Sequence, residues 1–228
     1  MRVGVVSGLR RETDCLAAGG TDSDLLTFAG VGRDSAAEGA RRLLTEGAQA
    51  LVSFGVCGGL AAHVRAGDLV LAGAVVTADA RFETTTSWRV AVHQRVTQGL
   101  SVVQGDLLGV DAMIASTDAK RALFEATGAV ACDMESHAVA AIAAEAGVPF
   151  LVLRAVSDPD THDVPGWVLK CLTRDGGINY RRLLQALARR PLEVPRLIKL
   201  GANSKRAFGT LRGVARLAGG GLGFPGSL

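Results

Sequence analysis

Three acidic residues stand where apolar stretches of the chain give out. Glu12 closes "SGLRRE", just beyond the first apolar run, and Asp158 closes "LVLRAVSD", behind Arg154 and Ser157 and ahead of Pro159. Glu135 opens "ESHAVAAIAAEAG", where Val139, Ile142 and Ala146 follow at four, seven and eleven residues, the spacing of one helical face. That face is apolar, and a buried carboxyl needs hydrogen bonds or a partner charge. Between these acids lies "FGVCGGL", whose Gly55, Gly58 and Gly59 let a ligand approach the backbone where side chains would prevent it. The loop is neither G-x-G-x-x-G nor the P-loop with its Lys, which argues against dinucleotide and triphosphate sites. Singly, each feature has an ordinary reading: Glu12 as a first-turn helix acid, the glycines as a turn, Ser157-Asp158 as a turn before Pro159, Arg154 as the partner of an acid across a sheet. Three carboxylates at three strand ends weaken those readings together, because such ends converge on one pocket.

The elements that must position them are legible as an alternation. Short apolar runs at 2–6, 25–28, 50–54, 69–77, 101–107, 129–132 and 150–156 read as strands, and the patterns at 33–45, 88–99, 117–126 and 135–146 read as helices. Gly147 and Pro149 mark the end of the last helix. Such alternation predicts an α/β fold, a mostly parallel sheet covered by helices on both faces, with ligands gathering at the carboxyl ends of the strands.

Composition bounds the rest. At 228 residues and 48% hydrophobic, the chain can bury one sizeable core. No run of eighteen apolar residues predicts a membrane span, and "MRVGVVSG" reads as a first strand rather than a signal peptide. Cys15, Cys57, Cys132 and Cys171 are widely spaced, without C-x-x-C or clustered His, which fits a reduced cytoplasmic protein without a metal site.

The net charge of +3 is unevenly spread: from Ile178 onward ten Lys or Arg face one acid, Glu193, leaving the first 177 residues acidic. Residues 178–228 therefore read as a basic helical extension on a catalytic domain at 1–177. Leu183, Leu184 and Leu187 fit one helix, Pro191 and Pro195 break the chain, and Leu197, Leu200, Phe208, Leu211, Val214 and Leu217 recur as an apolar stripe. The end, "AGGGLGFPGSL", has the composition of a disordered tail. The extension is either a solvated helical tail or a patch that meets an anionic membrane surface. Nucleic acid is disfavoured, since Tyr180, Phe208 and Phe224 are scattered and form no stacking cluster.

"GVVSGLRRE", "SFGVCGGLAAHVRAGDLVLA", "VDAMI", "DMESHAVA" and "LVLRAVSD" stand in the order and spacing of the nucleoside phosphorylase superfamily. The resemblance covers residues 2–158 and is closest to the methylthioadenosine/S-adenosylhomocysteine nucleosidase branch. The wording of "DMESHAVA" and "RAVSDP", with the basic tail, most resembles the hopanoid-associated phosphorylases. It implies a three-layer α/β/α fold with a mixed, mostly parallel sheet, and a metal-free enzyme that releases adenine from a 5′-substituted adenosine, here adenosylhopane. It also implies a homo-oligomer and a lipid-linked nucleoside met at the inner face of the membrane. The first alternative is the methylthioadenosine/S-adenosylhomocysteine nucleosidase reaction; a non-catalytic nucleoside-binding protein at the membrane surface is the rival from another class.

Residue by residue, the resemblance implies that Glu135 accepts the ribose 2′ and 3′ hydroxyls and that Met134 packs on the sugar. Asp158, oriented by Ser157, would be the general acid at purine N7. Met113 and Ile114 would line the base, Leu9 the 5′ side of the sugar, and Gly55, Val56 and Arg154 would complete the binding site. For the nucleophile two readings stand. Glu12 matches the nucleosidases' glutamate that activates water, and Ser53 and Val56 replace the Arg and hydroxyl with which phosphorylases hold phosphate. Yet Gly8, Arg10 and Arg11 suit a phosphate site, so inorganic phosphate remains open as co-substrate, favoured by the subfamily wording.

Overall fold

The computed structural model describes residues 2–17, 25–159, 185 and 193–225. The helix expected around Leu183, Leu184 and Leu187, and the break at Pro191, lie outside these residues. Eight strands form one mixed sheet: β1 (Val3–Ser7), β2 (Leu25–Ala29), β3 (Ala50–Gly59), β4 (Leu69–Val76), β5 (Arg81–Glu83), β6 (Val102–Gly109), β7 (Ala131–Asp133) and β8 (Phe150–Asp158). Among the described residues they are accompanied by helices α1 (Arg10–Ala17), α2 (Arg33–Thr45), α3 (Thr86–Val96), α4 (Thr117–Thr127), α5 (Ser136–Ala146) and α6 (Val194–Ala218).

Alternation along the strands builds the layers. On one face Val6, Leu51 and Val152 pack against Ala40 and Leu43 of α2 and Val139 and Ile142 of α5. On the other, Val5, Val52, Leu151 and Leu153 pack against α1, α3 and α6 through Leu16, Trp88 and Leu211. The period of two in each strand puts successive residues on opposite faces, so both faces must be covered. This is the three-layer nucleoside phosphorylase-like arrangement that the resemblance implied.

The middle of the sheet closes on itself. β3 runs parallel to β1 and β8, β8 antiparallel to β4, β4 parallel to β6, β6 parallel to β7, and β7 returns antiparallel to the end of β3. Five strands thus form a small ring. The stretch "FGVCGG", expected as a loop, is strand: Gly55 to Cys57 pair with Arg154 to Val156, and Gly58 and Gly59 pair with β7. Its glycines serve close packing of neighbours rather than a turn.

The C-terminal region also departs from expectation. Pro195 does not break the chain but sits in the first turn of α6, where its missing N–H costs nothing. Phe208, Leu211 and Val214 of the expected stripe are buried against the core, so this part of the stripe is unavailable to a membrane. Beyond α6 the described chain packs back on α3: Trp88 Nε1 donates to the Leu222 carbonyl at 3.0 Å, and the Trp88 and Phe224 rings meet edge to face at 4.6 Å. The described residues 193–225 thus pack against the core. No helix of the described residues is long and apolar enough to cross a membrane.

Candidate active site

A cavity of about 280 Å³ opens where β1, β3, β7 and β8 end. Gly8, Leu9 and Glu12 line it from the start of α1, Val56, Cys57 and Gly58 from β3, and Asp133, Met134 and Glu135 from the junction of β7 and α5. Ser157 and Asp158 come from β8, and Val110, Met113 and Ile114 from the segment after β6. Val31 and Met113, at 43% and 46% exposure, make its rim apolar.

Glu12 has both an ordinary and a chemical position. It lies in the first turn of α1, and its Oε2 accepts from the Leu9 N–H at 2.8 Å, the back-bond of a helix-capping glutamate. Its Oε1 reaches across to accept from the Val56 N–H of β3, also at 2.8 Å. The side chain is buried, and burial pushes its carboxyl up to about 7 against the pull of Arg154 and the two backbone donors. A group titrating near neutrality can both hold and release a proton there.

Glu135 does not lie on the buried face of a helix, as its spacing suggested. It is the residue before α5, which begins at Ser136, and its burial comes from the loops around it. Its Oε1 accepts from the Gly32 N–H at 3.0 Å and its Oε2 stands 3.5 Å from Arg154 Nη1. Burial raises its pKa and Arg154 opposes the rise. A Cβ on Gly8 would come within 3.1 Å of this carboxyl, so that glycine leaves it room.

Beneath the cavity, Arg154 ties the acids together. Its Nε is 2.6 Å from Asp133 Oδ2, its Nη2 donates to Ser53 Oγ at 2.7 Å, and its Nη1 donates to the Val56 carbonyl at 3.2 Å. Ser53 and Ser136 share a hydrogen bond at 2.8 Å, so Ser53 is taken up by Ser136 and Arg154. Gly55 is required here: a Cβ would stand 2.6 Å from Arg154 Nη1 and 2.7 Å from Glu12 Oε1.

Asp158 forms another part of the wall. Ser157 Oγ donates to its Oδ1 at 3.1 Å, and Lys120 Nζ, fully buried, lies 2.7 Å from its Oδ2. Burial raises the Asp158 pKa, while Lys120 and the Ser157 bond pull it down.

Ten of the fourteen anticipated residues thus line one cavity: Gly8, Leu9, Glu12, Val56, Met113, Ile114, Met134, Glu135, Ser157 and Asp158. Four do not. Gly55 and Arg154 are not among its lining residues, and Arg154 is buried in ion pairs with Asp133 and Glu135. Arg10 and Arg11 are exposed outside the cavity, with the Arg11 guanidinium stacked 4.9 Å above the Phe208 ring of α6. The described lining therefore contains no cation of its own. Lys120 and Asp133 were not singled out from sequence. Lys120 had a signal, since it shares a helical face with Leu123 and Phe124 and a lysine on an apolar face needs a partner. Among the described residues no group of three or more His, Cys, Asp or Glu side chains is arranged to hold a metal ion.

Residues 20–170 match the Phosphorylase superfamily, and the chain belongs to it. Its fold is shared with the 5′-methylthioadenosine/S-adenosylhomocysteine nucleosidase of Neisseria meningitidis, solved with methylthio-immucillin-A, at 18% identity over 95% of this chain and 98% of that one, TM-score 0.71. The S-adenosylhomocysteine nucleosidase of Streptococcus pyogenes, solved with 5-methylthiotubericidin, matches at 20% identity over 95% and 96%, TM-score 0.67. Futalosine hydrolase of Helicobacter pylori matches at 17% identity over 93% and 96%, TM-score 0.68.

Proposed function

We propose that the protein cleaves the N-glycosidic bond of a 5′-substituted adenosine, releasing adenine, with water as the nucleophile. The observation that carries this is that Glu12, Glu135 and Asp158 line one cavity. Asp158 gives its proton to purine N7 as the C1′–N9 bond breaks and its electron pair leaves with the base. Glu12 takes a proton from water, whose oxygen bonds to C1′ and leaves the free sugar. Glu135 binds the ribose diol and, as an anion, favours the positive charge that develops on the ring in an oxocarbenium-like transition state. The proton on N7 leaves with adenine; Glu12 then gives its proton to solvent and Asp158 takes one back.

Hydrolysis rather than phosphorolysis is supported by the acids at the cavity and the outward placement of Arg10 and Arg11, since a phosphate dianion among carboxylates would need cations to hold it. Product analysis with and without inorganic phosphate tests it. Free sugar formed equally well in both supports hydrolysis, and ribosyl 1-phosphate would overturn it.

For the 5′ group we favour an apolar substituent of the hopane type, met at a membrane surface. The support is the wording of "DMESHAVA" and "RAVSDP" together with the apolar rim of Val31 and Met113. The second reading, a small thioether, draws on the matched nucleosidases. Competition between adenosylhopane and methylthioadenosine for adenine release separates them.

A further inference from the structure

Lys120 has no task in the chemistry so far, yet its ammonium is bonded to the acid that performs it. It is 0% exposed, and all its donor capacity is spent on one strand end: Asp158 Oδ2 at 2.7 Å, the Asp158 carbonyl at 3.0 Å and the Pro159 carbonyl at 3.3 Å. A ligand in the cavity finds no free donor there, so any influence on the reaction runs through Asp158. The delivery is rigid. Ser116 caps α4 by accepting from the Ala119 N–H at 3.2 Å, and Leu123 and Phe124, on the same face as Lys120, pack against Leu60, Leu108 and Cys132.

We infer that Lys120 is a positioning residue for the reaction: it fixes the Asp158 carboxyl at the cavity wall and stabilises the carboxylate that remains once the base has taken the proton. This rests on the reading of Asp158 as the general acid. A carboxyl sealed in an apolar wall holds its proton but gives it up reluctantly, because the anion left behind is poorly solvated. An ammonium 2.7 Å away supplies the missing solvation at the moment of transfer.

The other groups facing Asp158 do not supply that charge. Ser157 from β8 is neutral, and the thiols of Cys57 on β3 and Cys132 on β7 are kept protonated by burial, Cys132 up to about 12. Burial and Lys120 therefore act in opposite senses on Asp158, one keeping the proton on and the other making its loss tolerable.

The test is the pH profile of adenine release from a soluble 5′-substituted adenosine, wild type against Lys120→Met. Loss of the charge should move the basic limb of kcat/KM upward by about 1–3 pH units, and lower plateau kcat on the order of tenfold. KM should stay within about twofold, as for an interaction made only in the transition state. A 4-nitrophenyl riboside, whose leaving group departs as an anion without a proton, should be cleaved by Lys120→Met at a near-wild-type rate. Equal loss on both substrates, or an unmoved limb with unchanged kcat, would overturn the inference. If Lys120→Met does not fold, the paired substitution Lys120→Met/Asp158→Asn removes both charges together and should match Asp158→Asn alone within about twofold. A further large loss there would also overturn it. Should Asp158→Asn itself keep wild-type adenine release, the reading of Asp158 fails, whatever Lys120 does.

Discussion

Glu12 shows how one side chain can serve fold and chemistry at a cost to the first. Its two backbone hydrogen bonds tie α1 to β3, but burial raises its pKa from 4.5 to about 7. A carboxyl whose folded pKa is raised binds its proton more tightly in the native state. Its penalty on stability is absent below about pH 4.5, grows as pH rises and is fully present above about 7. Glu12→Gln removes the titration, so its effect on unfolding free energy should become more favourable from pH 5 to pH 8, by on the order of 3 kcal/mol; urea unfolding at both pH values measures this, and a pH-independent difference would contradict the raised pKa. The same variant should lose most turnover, while wild-type activity should fall as pH drops below 7. Asp158→Asn should lower kcat by ~10²–10⁴-fold while a nucleoside still binds, because an amide has no proton to give to N7; isothermal titration and adenine release separate the two effects. Acids at the ends of apolar strands made Glu12, Glu135 and Asp158 legible in the sequence. Arg154 was visible but its orientation was not, because β3 and β7, which decide where it points, are remote in the chain. Lys120 is seen only when α4 is docked.

At the scale of elements, the alternation of apolar runs and helical patterns located most of the sheet and four helices, since the periods of 2 and 3.6 are set by burial on one face. Three things escaped it. Helix α1 is short and carries Arg10, Arg11 and Asp14 on its exposed side, β5 has three residues, and β3 continues through glycines that propensity assigns to a turn. The reason for those glycines is tertiary, which makes Gly55→Ala a sharp test. Its Cβ would overlap the Arg154 and Glu12 heads, so the variant should lose about 1–3 kcal/mol of stability and most activity. Retention of both would mean that the two side chains have room to move. The fate of α6 is a second test. Its Phe208, Leu211 and Val214, with Leu222 beyond, cover Leu16, Trp88 and Val92, so truncation before residue 193 should expose that core face and leave a chain without a cooperative thermal transition. A truncated protein that melts sharply would return the segment to the status of an appendage.

At the scale of the whole molecule, the ring of β3, β8, β4, β6 and β7 brings groups from distant parts of the chain to a single cavity, and their signs do not balance. Four carboxyl groups, Glu12, Asp133, Glu135 and Asp158, stand around it, while the buried cations Arg154 and Lys120 are paired with Asp133 and Asp158 and are not among the lining residues. The space itself is left facing acids. Such a cavity suits a sugar on which positive charge develops, and it ties α1, β3, α5 and β8 to whatever fills it. A ribose mimic with a protonated nitrogen near C1′ should therefore raise the melting temperature of the entire domain. At a hundred times its dissociation constant, a ligand adds about 2.7 kcal/mol. For a chain of this length that corresponds to roughly 5–10 °C. The neutral analogue, compared at the same concentration, should give a smaller shift. The gap between the two should widen from pH 6 to pH 8, because Glu12 passes into its charged form across that range. Thermal melts with both compounds at the two pH values test the electrostatic reading of the cavity directly. Equal shifts, or a gap that narrows as pH rises, would show that the carboxylates do not act on the sugar.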